Sequence, residues 1–262
     1  MPEENQKNGN QKVKYSRNLP EMAVPEKREP PSCDRCPAMA CWPVYPADTL
    51  SGPDFCATKN YPDKVAEAKE IYMRDGLDRE MQLVGARLEG MSSQTPPGGR
   101  EINMAMTRIE EVALFARAMG YQKLGIAHCI GMIGEARALS EFFKARGFET
   151  YQVCCKVGGI DKLEVGIRED EKVRMLTYET LCNNIGQALI LNDVGTDLNC
   201  MVGLCVGHDI AFTRYSKAPV TTIIVKDRRL GHNPAAALYN AYAPCNFYYA
   251  RLSKGTSETG GR

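Results

Sequence analysis

Cys200-Met-Val-Gly-Leu-Cys-Val-Gly-His-Asp209 decides the fold of this chain. The largely apolar run 197–204 begins after Gly195-Thr196 and stops at Cys205-Val206-Gly207, the pattern of a short buried strand. His208-Asp209 then opens a helical segment that reaches Tyr215. A strand-to-helix turn bearing Cys, Gly, His and Asp puts ligands and acid/base groups where parallel α/β folds keep their sites. Segment 123–131 repeats the arrangement and ends in His128-Cys129-Ile130-Gly131. Two Cys-x-Gly turns, each after an apolar strand, point to one shared site.

Outward from these turns the chain alternates. Strand 123–128 leads to helix 132–146, whose Ala136, Leu139, Phe142 and Phe143 share a face and whose stop is Gly147. Strand 149–154, a long connection over 156–181, helix 184–192, strand 197–204, helix 208–216 and strand 219–225 follow. A last helix starts at Pro234, with Asn233 as its cap. This alternation predicts an α/β fold with a doubly wound, mainly parallel sheet of about four strands in the order 2-1-3-4. Its switch point lies between the strands ending at Cys129 and Cys205.

Upstream, residues 62–90 carry apolar positions at helical spacing, broken into two helices at Asp75-Gly76. Pro96-Pro97-Gly98-Gly99 reads as a loop, and Thr107 with Glu110 as a capping box. The expected organisation is a disordered polar tail over 1–31, a cysteine-rich segment over 32–60 and a helical connector over 61–104. The α/β domain follows over 105–245, then a flexible tail over 246–262.

Composition narrows the function classes. A net charge of +1 over 262 residues gives no reason to expect nucleic-acid or acidic-membrane binding. The chain contains no apolar run of transmembrane length and no signal-peptide pattern, so a cytoplasmic location is expected. Eleven cysteines in such a chain imply metal binding or thiol chemistry before disulfides.

The cysteines fall into two sets. Cys33, Cys36, Cys41 and Cys56 have the spacing C-x2-C-x4-C-x14-C, which suits zinc or an iron–sulfur cluster, although the second half is not another C-x2-C pair. The second set follows from topology. Strand carboxyl ends and helix N-termini share one edge of a parallel sheet, which would gather Cys129, Cys155, Cys182 and Cys205 as metal ligands. Helix N-termini there favour anionic sulfur. Gly131, Gly134, Gly207 and Lys156 would border a bound cofactor, and His208, Asp209, Lys226 and His232 are candidate acid/base groups. Cys129 replaces the first glycine of a dinucleotide fingerprint, making nucleotide binding a minor reading. Cysteine is also a small buried hydrophobe, and Cys154 and Cys200 are expected simply to pack within strands.

Several motifs together resemble a known family: Cys129-Ile-Gly131, Cys182-Asn183, Gly195-Thr-Asp-Leu-Asn199, Gly203-Leu-Cys-Val-Gly-His-Asp209 and Gly231-His-Asn-Pro234. With the four N-terminal cysteines, they are similar to the prokaryotic proteins of domain of unknown function 1847, described as predicted metal-binding proteins. The resemblance spans roughly residues 33 to 240. It implies metal binding without naming a reaction, and the family's frequency in anaerobes implies iron–sulfur before zinc. Asn184 stands where an Asn-Pro turn would be expected after Cys182.

The expected function is therefore a metalloprotein with two cysteine-ligated centres, iron–sulfur and of the 4Fe–4S type, in electron transfer or a reductive reaction. Its partner would be a redox protein or a small-molecule substrate. The alternative is a zinc-binding, non-enzymatic metal-handling or regulatory protein. A zinc hydrolase fits less well, because four thiolates would close the zinc site.

Overall fold

The computed structural model describes residues 23–37, 41, 52–92 and 106–241. The expectations for residues 1–22, the loop Pro96–Gly99, Cys245 and the tail over 246–262 lie outside the described residues. The chain forms two compact units, residues 1–82 and 83–262.

In the first unit a short 3-10 turn, Cys33–Arg35, is followed by α1 (Ala57–Asn60), α2 (Pro62–Met73) and the start of α3 (Leu77–Ser92). Pro62 begins α2, where its missing N–H costs nothing. Buried Asn60 acts as a knot. Its side-chain amide donates to the carbonyls of Asp54 (2.5 Å) and Cys56 (3.0 Å), and its oxygen accepts from the Glu29 N–H (2.9 Å).

The second unit carries α4 (Arg108–Ala118), β1 (Lys123–His128), α5 (Ile133–Lys144), β2 (Glu149–Cys154), α6 (Asn184–Val194), β3 (Leu198–Val202), α7 (His208–Tyr215), β4 (Val220–Ile224) and α8 (Ala235–Ala241). All strand pairs are parallel and the order is β2-β1-β3-β4. The predicted α/β class, strand order and switch point are therefore observed. The Thr107–Glu110 capping box is formed at α4.

Alternation along the strands builds two cores. Leu124, Ile126, Leu198, Cys200 and Val202 face α4 and α5, where Ala116, Ala136 and Phe143 are fully buried. Ala127 and Met201 face the other way and pack with Ala188 and Leu191 of α6 and Phe212 of α7. Helices thus cover both faces of the sheet, which is why β1 and β3 read as nearly continuous apolar runs.

Two glycines allow close approaches. A Cβ on Gly125 would lie 2.0 Å from the Oδ1 of buried Asn199, whose amide spans Thr196 (2.8 Å) and Ser216 (2.8 Å). A Cβ on Gly203 would fall 1.9 Å from the Met132 sulfur, and Gly203 also takes a left-handed φ of 66°. That turn ends β3 at Val202, before the sequence-based limit of 204.

Candidate functional site

The carboxyl edge of the sheet brings together sulfur from three turns. Parallel register pairs His128 of β1 with Cys154 of β2, so the next residues, Cys129 and Cys155, are cross-strand neighbours. The Cys155 N–H donates to the His128 carbonyl (2.9 Å), continuing the ladder past both strand ends. Cys182 arrives from farther along the chain. The long connection over 156–181 returns to the sheet, where the Asn183 N–H donates to the Cys155 carbonyl (2.7 Å).

Asn183 then caps α6, its Oδ1 accepting from the Gly186 N–H (2.9 Å). Cys182 consequently stands just ahead of a helix N-terminus, where unpaired backbone N–H groups favour negative charge. Buried Gln187, one turn into α6, fixes this helix end to the strands. Its amide donates to the carbonyls of Val153 (2.6 Å) and His128 (3.2 Å), while its oxygen accepts from Asn184 (2.8 Å).

The three sulfurs have unequal surroundings. Cys155 is buried, and its thiol acts on the Cys182 sulfur. That interaction raises the Cys155 pKa far above the ordinary thiol range, burial adds to the rise, and the Ile130 N–H at 3.3 Å opposes it. Cys182 shows the converse. The interaction with Cys155 lowers its pKa to about 5 against the cost of burial, helped by the Lys156 ammonium at 3.2 Å and by His208. Lys156 is fixed in place by the Thr180 carbonyl at 2.5 Å. Cys129 is half-buried and packs against the cluster that contains Cys155. The arrangement favours the thiolate form of Cys182 and the thiol form of Cys155.

The fourth expected edge cysteine is arranged differently. Cys129 follows its strand at once, whereas Gly203 and Leu204 separate Cys205 from the end of β3. The Cys205 sulfur instead accepts from the Arg228 guanidinium at 3.1 Å. The two Cys-x-Gly turns flank the switch point as expected, yet their sulfurs have different neighbours.

Of the acid/base candidates, His208 is the one that acts electrostatically on a cysteine of the pair, Cys182. The Asp209 carboxylate accepts from the Ile210 N–H (2.8 Å) at the start of α7. The Nδ1 of His232 accepts from the Asp227 N–H (3.1 Å) and the His232 backbone N–H donates to the Asp227 carbonyl (2.8 Å), closing a turn after β4. Lys226 is half-buried in the same segment. Gly131 lies beside Cys129, while Gly134 within α5 and Gly207 ahead of α7 have open space where a Cβ would stand.

Cys154 and Cys200 pack as expected, Cys154 partly buried against the α6 side and Cys200 fully buried on the other. Burial pushes the Cys200 thiol up to about 12. In the first unit Cys33 and Cys36 bracket the 3-10 turn, and the Arg35 guanidinium stacks over Phe55 at 5.0 Å, next to Cys56. Cys33 and Cys41 are exposed. Among the described residues, no three His, Cys, Asp or Glu side chains are arranged to share one metal ion.

Sequence reasoning did not single out Gln187. Its signal was a polar residue on the buried face of an otherwise apolar helix, Ile185-Gly-Gln-Ala-Leu-Ile-Leu191. Nor did it show which of the edge cysteines would touch.

Comparison with known proteins gives a family and no activity. An uncharacterized protein of Methanocaldococcus jannaschii is 53% identical over 152 residues, covering 58% of this chain and 74% of the relative. The family match runs over residues 56–223, narrower than the span of motifs in the sequence: it includes the edge cysteines and Cys56 but not Cys33, Cys36, Cys41 or the segment after β4. On that match, the chain belongs to the family described as Protein of unknown function (DUF1847).

Proposed function

We propose that this chain is a redox protein whose working group is cysteine sulfur at the carboxyl edge of the sheet, serving electron transfer or a reductive reaction. The observation that carries the reading is the Cys182 sulfur, held between the Cys155 thiol and the Lys156 ammonium. A thiolate is the form of cysteine that attacks an electrophile or binds a soft metal, and the Lys156 ammonium at 3.2 Å favours that form here.

An iron–sulfur cluster remains the metal form of this proposal, with zinc as its alternative in a non-enzymatic metal-handling or regulatory protein. Its basis is the cysteine content of the sheet edge, since among the described residues no three ligand side chains are arranged to share one metal ion. As arranged, the donors fit a two-sulfur ligand, and a four-thiolate cage would require Cys205 to leave Arg228. Cys33, Cys36, Cys41 and Cys56 form a separate candidate metal centre in the first unit.

Purification without oxygen, followed by iron, zinc and acid-labile sulfide analysis, tests the reading. Iron with sulfide selects the cluster form, and stoichiometric zinc without sulfide selects the zinc form. Metal-free protein in which Cys182 reacts with iodoacetamide near neutral pH supports thiol chemistry. Metal-free protein with an inert Cys182 would overturn the proposal.

A further inference from the structure

We propose that Cys155 and Cys182 are a dithiol that exchanges with a disulfide substrate, Cys182 attacking and Cys155 resolving. The inference rests on the reading of the edge as a working sulfur centre and names its chemistry. Two geometric observations support it. The Asn183 N–H donates to the Cys155 carbonyl at 2.7 Å, which ties the residue after Cys182 to Cys155, and both cysteine side chains belong to one packed cluster. Disulfide formation therefore needs no approach of distant chain segments.

Exposure and charge divide the roles. Cys155 is 2% exposed, closed to a substrate arriving from solvent, whereas Cys182 is half-buried at the mouth of the edge. Lys156 stands 3.2 Å from Cys182 and stabilises that sulfur as an anion. Cys182 is therefore the entry nucleophile.

The chemistry balances as follows. The Cys182 thiolate attacks one sulfur of R–S–S–R′, the S–S bond breaks, and R′S⁻ leaves and takes a proton from solvent. Cys155 then loses its proton and attacks the Cys182 sulfur. RS⁻ departs with that proton, leaving a Cys155–Cys182 disulfide. Two electrons pass from the protein dithiol to the substrate disulfide, which becomes two thiols. A small thiol in excess reverses both steps.

The product has a structural consequence. A Cys155–Cys182 bond would close the 156–181 connection into a covalent loop at a base already pinned by Leu181 on Ile160 (2.7 Å) and Lys156 on Thr180 (2.5 Å).

The test uses the full chain purified without oxygen and treated with bis(2-hydroxyethyl) disulfide. Peptide mapping is expected to show Cys155 joined to Cys182, with both thiols restored by dithiothreitol. Cys155→Ala is expected to trap the hydroxyethylthio group on Cys182, and Cys182→Ser to leave Cys155 unmodified. The wild-type map decides the matter even if a variant misfolds. A Cys182 that reacts without ever linking to Cys155 would overturn the exchange pair while leaving a reactive thiolate. Protein in which both sulfurs are occupied by metal would overturn it in favour of the metal form. A metal-free protein whose Cys182 is inert would end both proposals.

Discussion

The Lys156 ammonium lies 3.2 Å from the Cys182 sulfur although 25 residues separate the two in the chain. The contact exists because the connection after β2 leaves the sheet and comes back to the residue it started from, with Asn183 hydrogen-bonded to Cys155. A cation supplied at one end of the loop thereby stabilises an anion supplied at the other. This contact and the interaction with Cys155 distinguish Cys182 from a cysteine that merely fills space.

The first prediction concerns pH. Since the Cys182 pKa is lowered to about 5, its alkylation rate should rise through the mildly acidic range and be flat near neutrality. An ordinary thiol would still be gaining reactivity up to about pH 8.5. Lys156→Met removes the charge and a hydrogen bond, so it should move the Cys182 midpoint upward. Iodoacetamide rates at the Cys182 peptide, measured across pH, check this. A profile identical in wild type and variant would show that Lys156 does not act on the sulfur.

A second prediction concerns the polar peg beneath the site. Gln187 is fully buried and donates to two carbonyls at the ends of β1 and β2. Gln187→Leu keeps volume but leaves both carbonyls and the Asn184 amide without that partner. It should destabilise the fold by about 1–3 kcal/mol, read as a lower urea midpoint. Because Gln187 holds the α6 N-terminus to the strands, the variant should also slow Cys182 alkylation at neutral pH. Unchanged stability would mean that the cavity admits water to replace the amide.

Much of this architecture was legible in the sequence, and the parts that were not have physical reasons. Strands such as Leu124–Ala127 and Leu198–Val202, buried on both faces, left nearly continuous apolar runs broken only by residues such as Asn199, and glycine and proline marked the stops. The edge could be inferred because topology alone gathers strand ends. The pairing within it could not, since Cys182 reaches Cys155 only through the path of a 26-residue connection with no repeating pattern. The matched Cys-x-Gly turns suggested that Cys129 and Cys205 were equivalents. Gly203, turning left-handed past Met132, carries Cys205 two residues farther from its strand than Cys129 is from its own.

A third prediction tests a close approach that sequence could not reveal. Gly125→Ala would place a methyl 2.0 Å from Asn199 Oδ1, in the middle of a central strand and against a fully buried amide. Relief requires Asn199 to give up its bonds to Thr196 or Ser216. The substitution should cost about 1–3 kcal/mol, measured by chemical denaturation. Gly134→Ala, in open space within α5, should be neutral or slightly stabilising. Equal effects at the two glycines would contradict the contact at Asn199.

The last prediction concerns the 156–181 connection. Its internal bonding makes it a folded loop. Lys162 pairs with Glu179 beside an antiparallel bridge between Asp161 and Thr180, and the Glu179 carboxylate also accepts from the Arg174 N–H at 2.8 Å. Lys172, its side chain 1% exposed, is bound by the Glu169 carboxylate and the Thr177 carbonyl. Such a loop should show slow amide exchange at its base, where Lys162 donates to the Glu179 carbonyl and Leu181 to Ile160. Glu179→Gln keeps the shape and removes the charge, so exchange over 160–181 should quicken while peptides from β1 and β3 are unchanged. Lys156 is anchored on Thr180, so loosening the loop should also weaken its hold on Cys182 and slow alkylation at neutral pH. Hydrogen–deuterium exchange and the alkylation rate on the same variant separate two cases. Faster exchange with unaltered Cys182 reactivity would make the loop an independent appendage; change in both would make it a working wall of the sulfur site.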